Sequence, residues 1–486
     1  MKTNTIRIPR PPLPALFVCV LLAVLFSACQ SAGESPPGSA TPKPTRSTAA
    51  PSPVHPAATP TAVIPPHLTV DPARLRGQRI EFWHPWTGAA ANTLEMLATD
   101  FNRSNEWGIT VQLMAAGGES ALAERMETIF DNGEQAPQVV AAPSVQLFSW
   151  QSEHKLLLNL NDYIENPRWG LTTAEIAEFP RRIWEEDTLE GRRYGIPAQR
   201  MPQVLFYNRT WAQELGFHNP PATPEEFRTQ ACAAARANLT DAIRANDGTG
   251  GWIVNTSSSS LLSWMAAFGA KDLSELGAGG YNFTNRQVSD MFTFLRKLYD
   301  DGCGWVSRDP SPYGYFASRQ ALFYSGDLAD STNQRIANQR LGSNDQWDAL
   351  SYPSVNQKPV IITSGLSYAI PAAAAGEQLA AWLFIRWMIQ PQQQAALTRA
   401  TNSFPLTFTA IRLLEDFASD YPQWQQSLMW IPLTQPAPRQ PSWRIVRHIL
   451  EDAARQIFAP TTNPEQLRAV LKQLDRTVIE VLEQRP

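Results

Sequence analysis

Two tryptophans and a histidine surround a proline in the stretch FWHPWTG, residues 82–88, directly after an apolar segment. Trp83 and Trp86 offer flat apolar faces that suit the C–H surface of a sugar ring, and His84 can hydrogen-bond to a hydroxyl. These residue types indicate binding rather than bond cleavage. In the alternative interpretation both tryptophans fill the core and His84 is a satisfied polar neighbour, and the sequence leaves both open.

Sequence signatures of catalysis are missing. The six histidines are scattered without an HExxH or Cys-His grouping, so no metal site is expected. The segment GGESAL lacks the Lys-Ser/Thr pair of a P-loop, and no G-x-S-x-G elbow occurs. The acidic run 185–187 could suggest paired carboxylates for glycoside cleavage, but adjacent residues do not face one bond from two sides, and a solvated helix end is the favoured explanation. We expect a protein that is not an enzyme and needs no cofactor.

The elements around FWHPWTG place it at the edge of a sheet. Strands are predicted at 79–83, 109–114 and 138–142. Apolar residues at helical spacing separate these strands, and a β-α-β-α-β order is typical of a doubly wound parallel sheet. Ligands bind beyond the carboxyl ends of such strands. FWHPWTG follows the first strand and Ser144 the third, so both belong to the ligand-binding edge.

The first 66 residues are expected to lie outside the fold. Residues 1–28 have a basic start and an apolar run at 15–28 that is too short to span a bilayer, as in a signal peptide. The run ends in small residues before Cys29, which resembles the lipobox of bacterial lipoproteins, where the cysteine carries the lipid. An ordinary secretory signal is the alternative. Residues 29–66, rich in Pro, Ser and Thr, predict a disordered tether.

Charge and cysteine content restrict the function further. The chain has 41 Lys+Arg against 45 Asp+Glu with no long run of either sign, so no nucleic-acid partner is expected. Its 486 residues favour two or three domains. Beyond the signal peptide and Cys29, only Cys232 and Cys303 remain. In an oxidising compartment they form either a disulfide or two buried thiols.

Several segments resemble the extracellular solute-binding proteins of family 1, the receptors of carbohydrate ABC importers that include maltodextrin and glycerol-3-phosphate binders. Besides the lipobox, these segments are FWHPWTG, QAPQVVAAPS, YGIPAQRMPQVLFYNRTWAQELGF, PPATPEEFRTQA, ALFYSGDLA and AAWLFIRWMIQPQQQAALTRATNSFPL. The resemblance covers nearly all of residues 78 to about 480 and depends on the order and spacing of the segments together.

The resemblance implies an α/β fold of the type II periplasmic-binding-protein class, in which two hinge-linked lobes enclose a ligand cleft. It implies an N-terminal lobe of 78–196 with 319–369 and a C-terminal lobe of 197–318 with 370–486. A ligand held by both lobes would shift an equilibrium between open and closed forms.

The ligand-binding residues implied by the resemblance are Trp83, His84, Trp86, Ser144, Gln199, Arg200, Trp264, Gly365, Ser367 and Arg439. Gly365 and Ser367 resemble the family's glycine-serine turn, whose N–H groups can hold hydroxyl or phosphate oxygen. Arg439 falls where glycerol-phosphate binders carry an arginine. The tyrosine and glutamate of those binders are replaced around Gly118 and Pro143, so glycerol phosphate is not carried over as the ligand.

The sequence and its resemblance therefore predict an exported, monomeric lipoprotein anchored to the outer face of the bacterial cytoplasmic membrane. It would capture a carbohydrate or related polyol and deliver it to the transmembrane subunits of an ABC permease. The alternative is a tethered sensor that reports the solute to a membrane receptor without transport.

Overall fold

The computed structural model describes residues 68–271, 276–277 and 280–484. The expected signal peptide at 1–28, Cys29 and the tether at 29–66 lie outside the described residues. Within the described part of the chain, no helix combines the length and the apolar character needed to cross a membrane.

The first 130 or so described residues form most of the first sheet and the helices around it. Its elements are β1 (Arg79–His84), α1 (Gly88–Ser104), β2 (Thr110–Ala115), α2 (Glu119–Asn132), β3 (Val139–Pro143), α3 (Ser144–His154), α4 (Asn161–Ile164), α5 (Thr173–Ala177), α6 (Arg181–Glu185), β4 (Thr188–Leu189), β5 (Arg192–Arg193) and β6 (Ile196–Pro197). Strand β1 pairs in parallel with both β2 and β3. The predicted β-α-β-α-β order is therefore confirmed.

The middle of the chain forms most of a second sheet. It contains β7 (Met201–Asn208), α7 (Arg209–Glu214), α8 (Pro224–Thr240), β8 (Gly250–Ile253), α9 (Ser258–Ala267), α10 (Arg286–Asp300), β9 (Gly304–Trp305), α11 (Tyr313–Ala317), β10 (Ala321–Asp327), α12 (Asp330–Leu341), β11 (Trp347–Leu350) and β12 (Ile361–Ser364). Strand β7 is buried along nearly its whole length and pairs antiparallel with β10, β11 and β12.

The last third of the chain contributes to both sheets. Its elements are β13 (Leu366–Ala369), α13 (Ala375–Met388), α14 (Pro391–Thr401), α15 (Phe408–Arg412), α16 (Glu415–Asp420), α17 (Pro422–Ser427), β14 (Thr434–Pro436), α18 (Trp443–Ile457) and α19 (Leu467–Glu483). Single turns of 3-10 helix lie at Pro72–Leu75, Arg244–Asn246 and Pro464–Gln466, and a longer 3-10 segment lies at Leu428–Leu433. Strand β13 completes the first sheet, whose order is β2-β1-β3-β13-β6.

The second sheet has the order β14-β12-β7-β10-β8-β9, with β11 also paired to β7. We call the layers around the first sheet the first lobe and those around the second sheet the second lobe. The fold is thus α/β with two lobes, as expected.

The sheet pairing corrects the expected lobe boundaries. Strands β10, β11 and β12, from the segment 319–369, pair within the second sheet and not the first. Helix α13, expected in the second lobe, packs on the first sheet, where the Phe384 ring lies 5.7 Å from that of Phe82. Apolar periodicity identified these elements correctly, but it carries no information on which sheet they join. We therefore propose lobe boundaries that follow the sheets.

Helix α8 shows how local sequence fixes an element of the second lobe. Thr223 and Glu226 form a reciprocal capping box, and Pro224 occupies the first turn, where its missing N–H is not needed. The helix carries Cys232, which is joined by a disulfide to Cys303 just before β9. The bond ties α8 to the edge of the second sheet.

Candidate functional site

A cavity of about 850 Å³ lies between the two sheets. Its walls come from the loop after β1, the start of α3, the ends of β10 and β12, the start of α9 and the segment leading into α18. Ligand cavities in proteins commonly measure roughly 300–1,000 Å³. We call this space the central cavity and take it as the candidate binding site.

The structure brings half of the predicted ligand-binding residues together at this site. The residues that line the central cavity are Trp86, Ser144, Gln199, Gly365 and Arg439. The predicted residues that do not line it are Trp83, His84, Arg200, Trp264 and Ser367. The second set lies behind the walls or in the lobe cores, so its direct contact with ligand stays a prediction that the lining of the central cavity does not support.

Trp86 is held rigidly at the cavity wall. Its Nε1 donates a hydrogen bond to Oε1 of Gln199 at 2.6 Å. Its ring packs against Phe82 and Tyr368, with centroids 6.4 Å and 6.2 Å away, and only 7% of the residue is exposed. Trp86 therefore fits both the core interpretation and the ligand-contact interpretation of FWHPWTG. Most of its ring is packed in the core, and part of the residue borders the cavity.

Trp83 and His84 are core residues. Successive side chains of a strand point to opposite faces of the sheet, and helices cover both faces here. The Trp83 ring lies under the Arg125 guanidinium, 4.2 Å from its centroid. His84 is 2% exposed, and burial lowers its pKa to about 4 against the opposing effect of a backbone hydrogen bond to Trp86. His84 is therefore neutral near pH 7.

Trp264 lies on the opposite face of α9 from the cavity. It is fully buried, and its ring packs edge-on against Tyr352, with centroids 5.0 Å apart. Ser259 and Leu262, one helical turn apart, face the cavity instead. Helical periodicity could have separated these two faces, which the resemblance alone does not do.

Arg200 and Ser367 form a buried polar cluster behind the cavity wall. Arg200 is 1% exposed and pairs with the carboxylates of Glu186 and Asp187. Its Nη2 also donates to Oγ of Ser367 at 3.0 Å, and Ser367 in turn donates to Oδ1 of Asp187 at 2.7 Å. Both residues thus position the strands, and their side chains are engaged with protein partners.

The acidic run 185–187 is only in part the solvated helix end that we expected, since Glu185 ends α6 and is exposed. Glu186 is 4% exposed and Asp187 is fully buried. Asp187 also accepts a hydrogen bond of 2.6 Å from Ser144 Oγ, at the first residue of α3. For Glu186 and Asp187 the expectation was wrong because the cation that pairs with both, Arg200, is contributed by another segment.

Gly365, between β12 and β13, allows a close approach to the segment between β6 and β7. Its φ of 153° lies in the region that favours glycine, and a Cβ at this position would lie 2.0 Å from the carbonyl oxygen of Gln199. The approach brings Ser364 and Gln199 to the same wall of the cavity.

Both lobes contribute charged residues to the wall of the central cavity. Glu119 opens α2 of the first lobe, and burial raises its pKa while Arg447 of α18 lowers it. Asp327 ends β10 of the second lobe, where burial, Asp330 and Glu119 raise its pKa to about 7. With Arg439, these residues place charges of both signs around the cavity. Glu119 and Asp327 are not among the predicted ligand-binding residues, although each directly follows a glycine, Gly118 after β2 and Gly326 near the end of β10.

One group among the described residues could offer metal ligands. Ligand atoms of Glu127, Glu153 and His154 lie within 4.8 Å of one another, outside the central cavity. Glu127 already accepts from Trp150 Nε1 at 3.1 Å and contacts His154 Nε2 at 3.0 Å. Arg444 of α18 approaches the same carboxylates, so protein cations occupy this position.

Comparison with known proteins agrees with this architecture. Residues 96–426 match the family model described as bacterial extracellular solute-binding protein. No curated protein shows a significant match to the sequence.

Solved structures share the fold at low sequence identity. The sugar-binding protein MalE from Xanthomonas citri is 18% identical with a TM-score of 0.70, and the match covers 84% of this chain and 98% of that one. UgpB from Mycobacterium tuberculosis, in complex with glycerophosphocholine, is 17% identical with a TM-score of 0.67 over 83% and 99%. The cyclic alpha-maltosyl-1,6-maltose binding protein from Arthrobacter globiformis is 14% identical with a TM-score of 0.67 over 82% and 98%.

Proposed function

The chain belongs to the bacterial extracellular solute-binding proteins, and on this premise we propose that it captures a carbohydrate or related polyol in the central cavity and delivers it to the permease of an ABC importer. The observation that carries the proposal is the lining of the cavity, where many hydroxyl and amide side chains accompany a few aromatic rings.

Polar side chains of the lining match a polyhydroxylated solute. Hydroxyl groups come from Thr87, Ser144, Ser258, Ser259, Thr363 and Ser364, and amides come from Gln199, Asn333 and Asn402. Hydroxyls and amides both donate and accept hydrogen bonds, as sugar hydroxyls do. Trp86 and Trp443 add the apolar ring surface that suits the C–H face of a sugar.

The charges around the cavity support a solute without large net charge. Glu119 and Asp327 line the same space as Arg439 and Arg447. A cavity for a strongly anionic or cationic solute would be expected to concentrate one sign. The Arthrobacter globiformis protein of this fold is a cyclic alpha-maltosyl-1,6-maltose binding protein, and UgpB is in complex with glycerophosphocholine, which supports a polyhydroxylated class of solute.

We further propose that the chain is exported and held by a lipid on Cys29 through the tether at 29–66, and that it works as a monomer without a catalytic step. The signal-like apolar run, the lipobox-like ending and the Pro-rich spacer support this arrangement. A tethered body that is free to reorient can meet both the solute and a membrane permease.

The proposal is tested with residues 67–486, expressed without the signal peptide and tether. This chain is titrated with sugars, polyols, glycerol phosphates, amino acids and short peptides. At about 100 times its dissociation constant, a specific ligand should raise the free energy of unfolding by about 2.7 kcal/mol. Trp86→Ala should weaken sugar binding by about tenfold or more, since it removes a ring from the cavity wall. Trp83→Ala is the matched control, because Trp83 lies outside the cavity and its loss should lower stability while leaving the dissociation constant unchanged.

Two results would contradict the proposal. The carbohydrate assignment is rejected if no sugar or polyol binds while a peptide or amino acid binds specifically. If a bound sugar is still taken up normally by cells that lack this chain, the transport role is rejected.

A further inference from the structure

The indole N–H of Trp86 is already used within the protein. Its Nε1 donates to Oε1 of Gln199 at 2.6 Å, and this hydrogen bond is buried. Each of the two residues is 7% exposed, and both line the central cavity. The polar end of Trp86 is therefore not available to a solute, and it acts on Gln199 instead.

This hydrogen bond fixes the direction of the Gln199 carboxamide. The two ends of a carboxamide are nearly equal in size, but the oxygen only accepts hydrogen bonds and the nitrogen only donates them. Tryptophan Nε1 donates and does not accept, so the amide end that faces it has to be the oxygen. The nitrogen Nε2, with its two N–H groups, is then turned away from the indole.

Nε2 of Gln199 is open to the central cavity. It has no hydrogen-bond partner within residues 68–271, 276–277 and 280–484. It is also not one of the enclosed side-chain atoms that lack a partner, so it keeps contact with solvent. Because Gln199 borders the central cavity, this free donor is offered to a solute there.

The main chain of Gln199 is held independently of its side chain. Its N–H donates to the carbonyl oxygen of Leu366 at 3.1 Å, and its carbonyl oxygen accepts from Nη1 of Arg200 at 2.8 Å. Gly365 packs so closely against this carbonyl that a Cβ there would lie 2.0 Å from the oxygen. Among the described residues, Trp86 alone bonds to the carboxamide and so sets its direction.

The first turn of α1 supplies further donors next to Trp86. The helix begins at Gly88, and no side chain caps it. The first N–H groups of a helix have no partner inside the helix. Ala89 and Ala90 of this turn line the central cavity. This part of the wall therefore offers N–H donors, and a solute group that binds here has to present an oxygen that accepts.

We propose that Trp86 is a positioning residue for Gln199, and that Nε2 of Gln199 selects the solute by donating a hydrogen bond to one of its oxygens. The inference rests on the proposed function and deepens it. Trp86 then contributes more than ring surface, because its N–H decides which end of the amide the solute meets. A ring without that N–H would leave the amide free to turn its oxygen toward the cavity.

Calorimetric titration of residues 67–486 with glucose, galactose, mannose, maltose and cellobiose tests the proposal. Trp86→Phe keeps an aromatic ring but removes the N–H, and it should weaken sugar binding about three- to tenfold, the effect of one hydrogen bond. Gln199→Leu removes the donor itself and should have a similar effect. The double variant Trp86→Phe/Gln199→Leu should bind within about twofold of Gln199→Leu, because the N–H of Trp86 acts only through Gln199.

Gln199→Glu separates the donor from a merely structural role. Glutamate still accepts a hydrogen bond from Nε1 of Trp86 but has no N–H group to donate. A structural role alone predicts wild-type affinity for Gln199→Glu, whereas our proposal predicts the same loss of about three- to tenfold as for Gln199→Leu.

Trp83→Phe is the matched control. Nε1 of Trp83 donates to Oε2 of Glu81 at 3.0 Å, but Trp83 does not line the central cavity. The variant therefore loses the same kind of hydrogen bond and should keep the wild-type dissociation constant. Thermal midpoints of all variants show whether each one is folded before it is titrated.

The outcomes separate this inference from the proposed function. If a sugar binds and neither Trp86→Phe nor Gln199→Glu weakens it, the positioning role is rejected and the carbohydrate function stands. Additive effects of Trp86→Phe and Gln199→Leu would also reject it, since Trp86 would then act on the solute directly. If none of the five sugars binds, this inference is rejected, and the wider titration described above decides the proposed function.

Discussion

Arg200 and Asp187 form an ion pair in the interior of the protein, with 3.1 Å between Nη2 and Oδ2 and exposures of 1% and 0%. Arg200 also pairs with Glu186 and donates from Nη1 to the carbonyl oxygen of Leu366 at 2.9 Å. The guanidinium therefore joins the segment before β4 to the segment between β6 and β7 and to β13. These connections lie directly behind the wall that carries Gln199 and Gly365.

Arg200→Ala should strongly destabilise the fold. Removing one partner of a buried ion pair costs about 3–5 kcal/mol, since it leaves uncompensated buried charge. Urea unfolding would measure the loss. Arg181→Ala is the control, because the Arg181–Glu185 pair is exposed to solvent and its loss should not change the midpoint measurably. Equal, small shifts in both variants would contradict the central role of Arg200.

The comparison of Trp83 with Trp86 shows how far the sequence alone could locate the site. The β-α-β-α-β order follows from local periodicity and is confirmed, and FWHPWTG runs from the end of β1 to the cavity wall at Trp86. Alternation along a strand could also tell that Trp83 and His84 point to opposite faces. It could not tell which aromatic borders the cavity, because helices cover both faces of the first sheet.

Long-range partners explain why the sequence could not show where the other predicted residues lie. Arg200 and Ser367 are hydrogen-bonded across 167 positions of sequence, so neither residue type nor spacing could reveal that the arginine is engaged inside the protein. The sheet that β10 joins is set in the same way, by its pairing with β7. Glu119 and Asp327 could have been suspected from their positions after strand-end glycines.

His84 should make the fold sensitive to acid. Its folded-state pKa is about 4, below its ordinary value of 6.5, so the unfolded chain binds more protons between these two pH values. Its contribution to stability is complete above about pH 6.5 and is lost as the pH falls toward about 4. Thermal midpoints of wild type and His84→Gln across this range should show a smaller decline in the variant. His218→Gln, at an exposed position, should behave like wild type, and an unchanged decline in His84→Gln would reject the role of His84.

The disulfide between Cys232 and Cys303 should contribute substantially to stability. It closes a loop over a sequence separation of 71, for which loop-closure entropy corresponds to about 4 kcal/mol. The double variant Cys232→Ser/Cys303→Ser should therefore unfold at clearly lower urea concentration than wild type, and reductant should affect only wild type. The disulfide is contradicted if both cysteines of denatured, unreduced wild type react with an alkylating reagent, because only free thiols react.

Arg444 connects the lobes outside the central cavity. Arg444 is the second residue of α18 and follows Trp443. Its Nε donates a hydrogen bond to Oγ of Ser149 on α3 at 2.9 Å. Its Nη2 lies 3.5 Å from Oε1 of Glu153 on the same helix of the first lobe. Helix α18 thus carries both cavity-lining residues and a contact with the opposite lobe, so this contact is available only while the lobes are close.

Arg444→Ala should favour the open form and weaken ligand binding without removing a cavity-lining side chain. The apparent dissociation constant rises as the fraction of binding-competent protein falls, and a partly exposed ion pair corresponds to an increase of roughly two- to fivefold. Titration with the ligand found for wild type and small-angle scattering of the free and loaded chain would measure affinity and lobe separation together. Lys472→Ala removes the same charge at an exposed position of α19 and should change neither. If Arg444→Ala also leaves the dissociation constant and the radius of gyration unchanged, the contact plays no part in closure, because a residue that stabilises only the closed form must shift both.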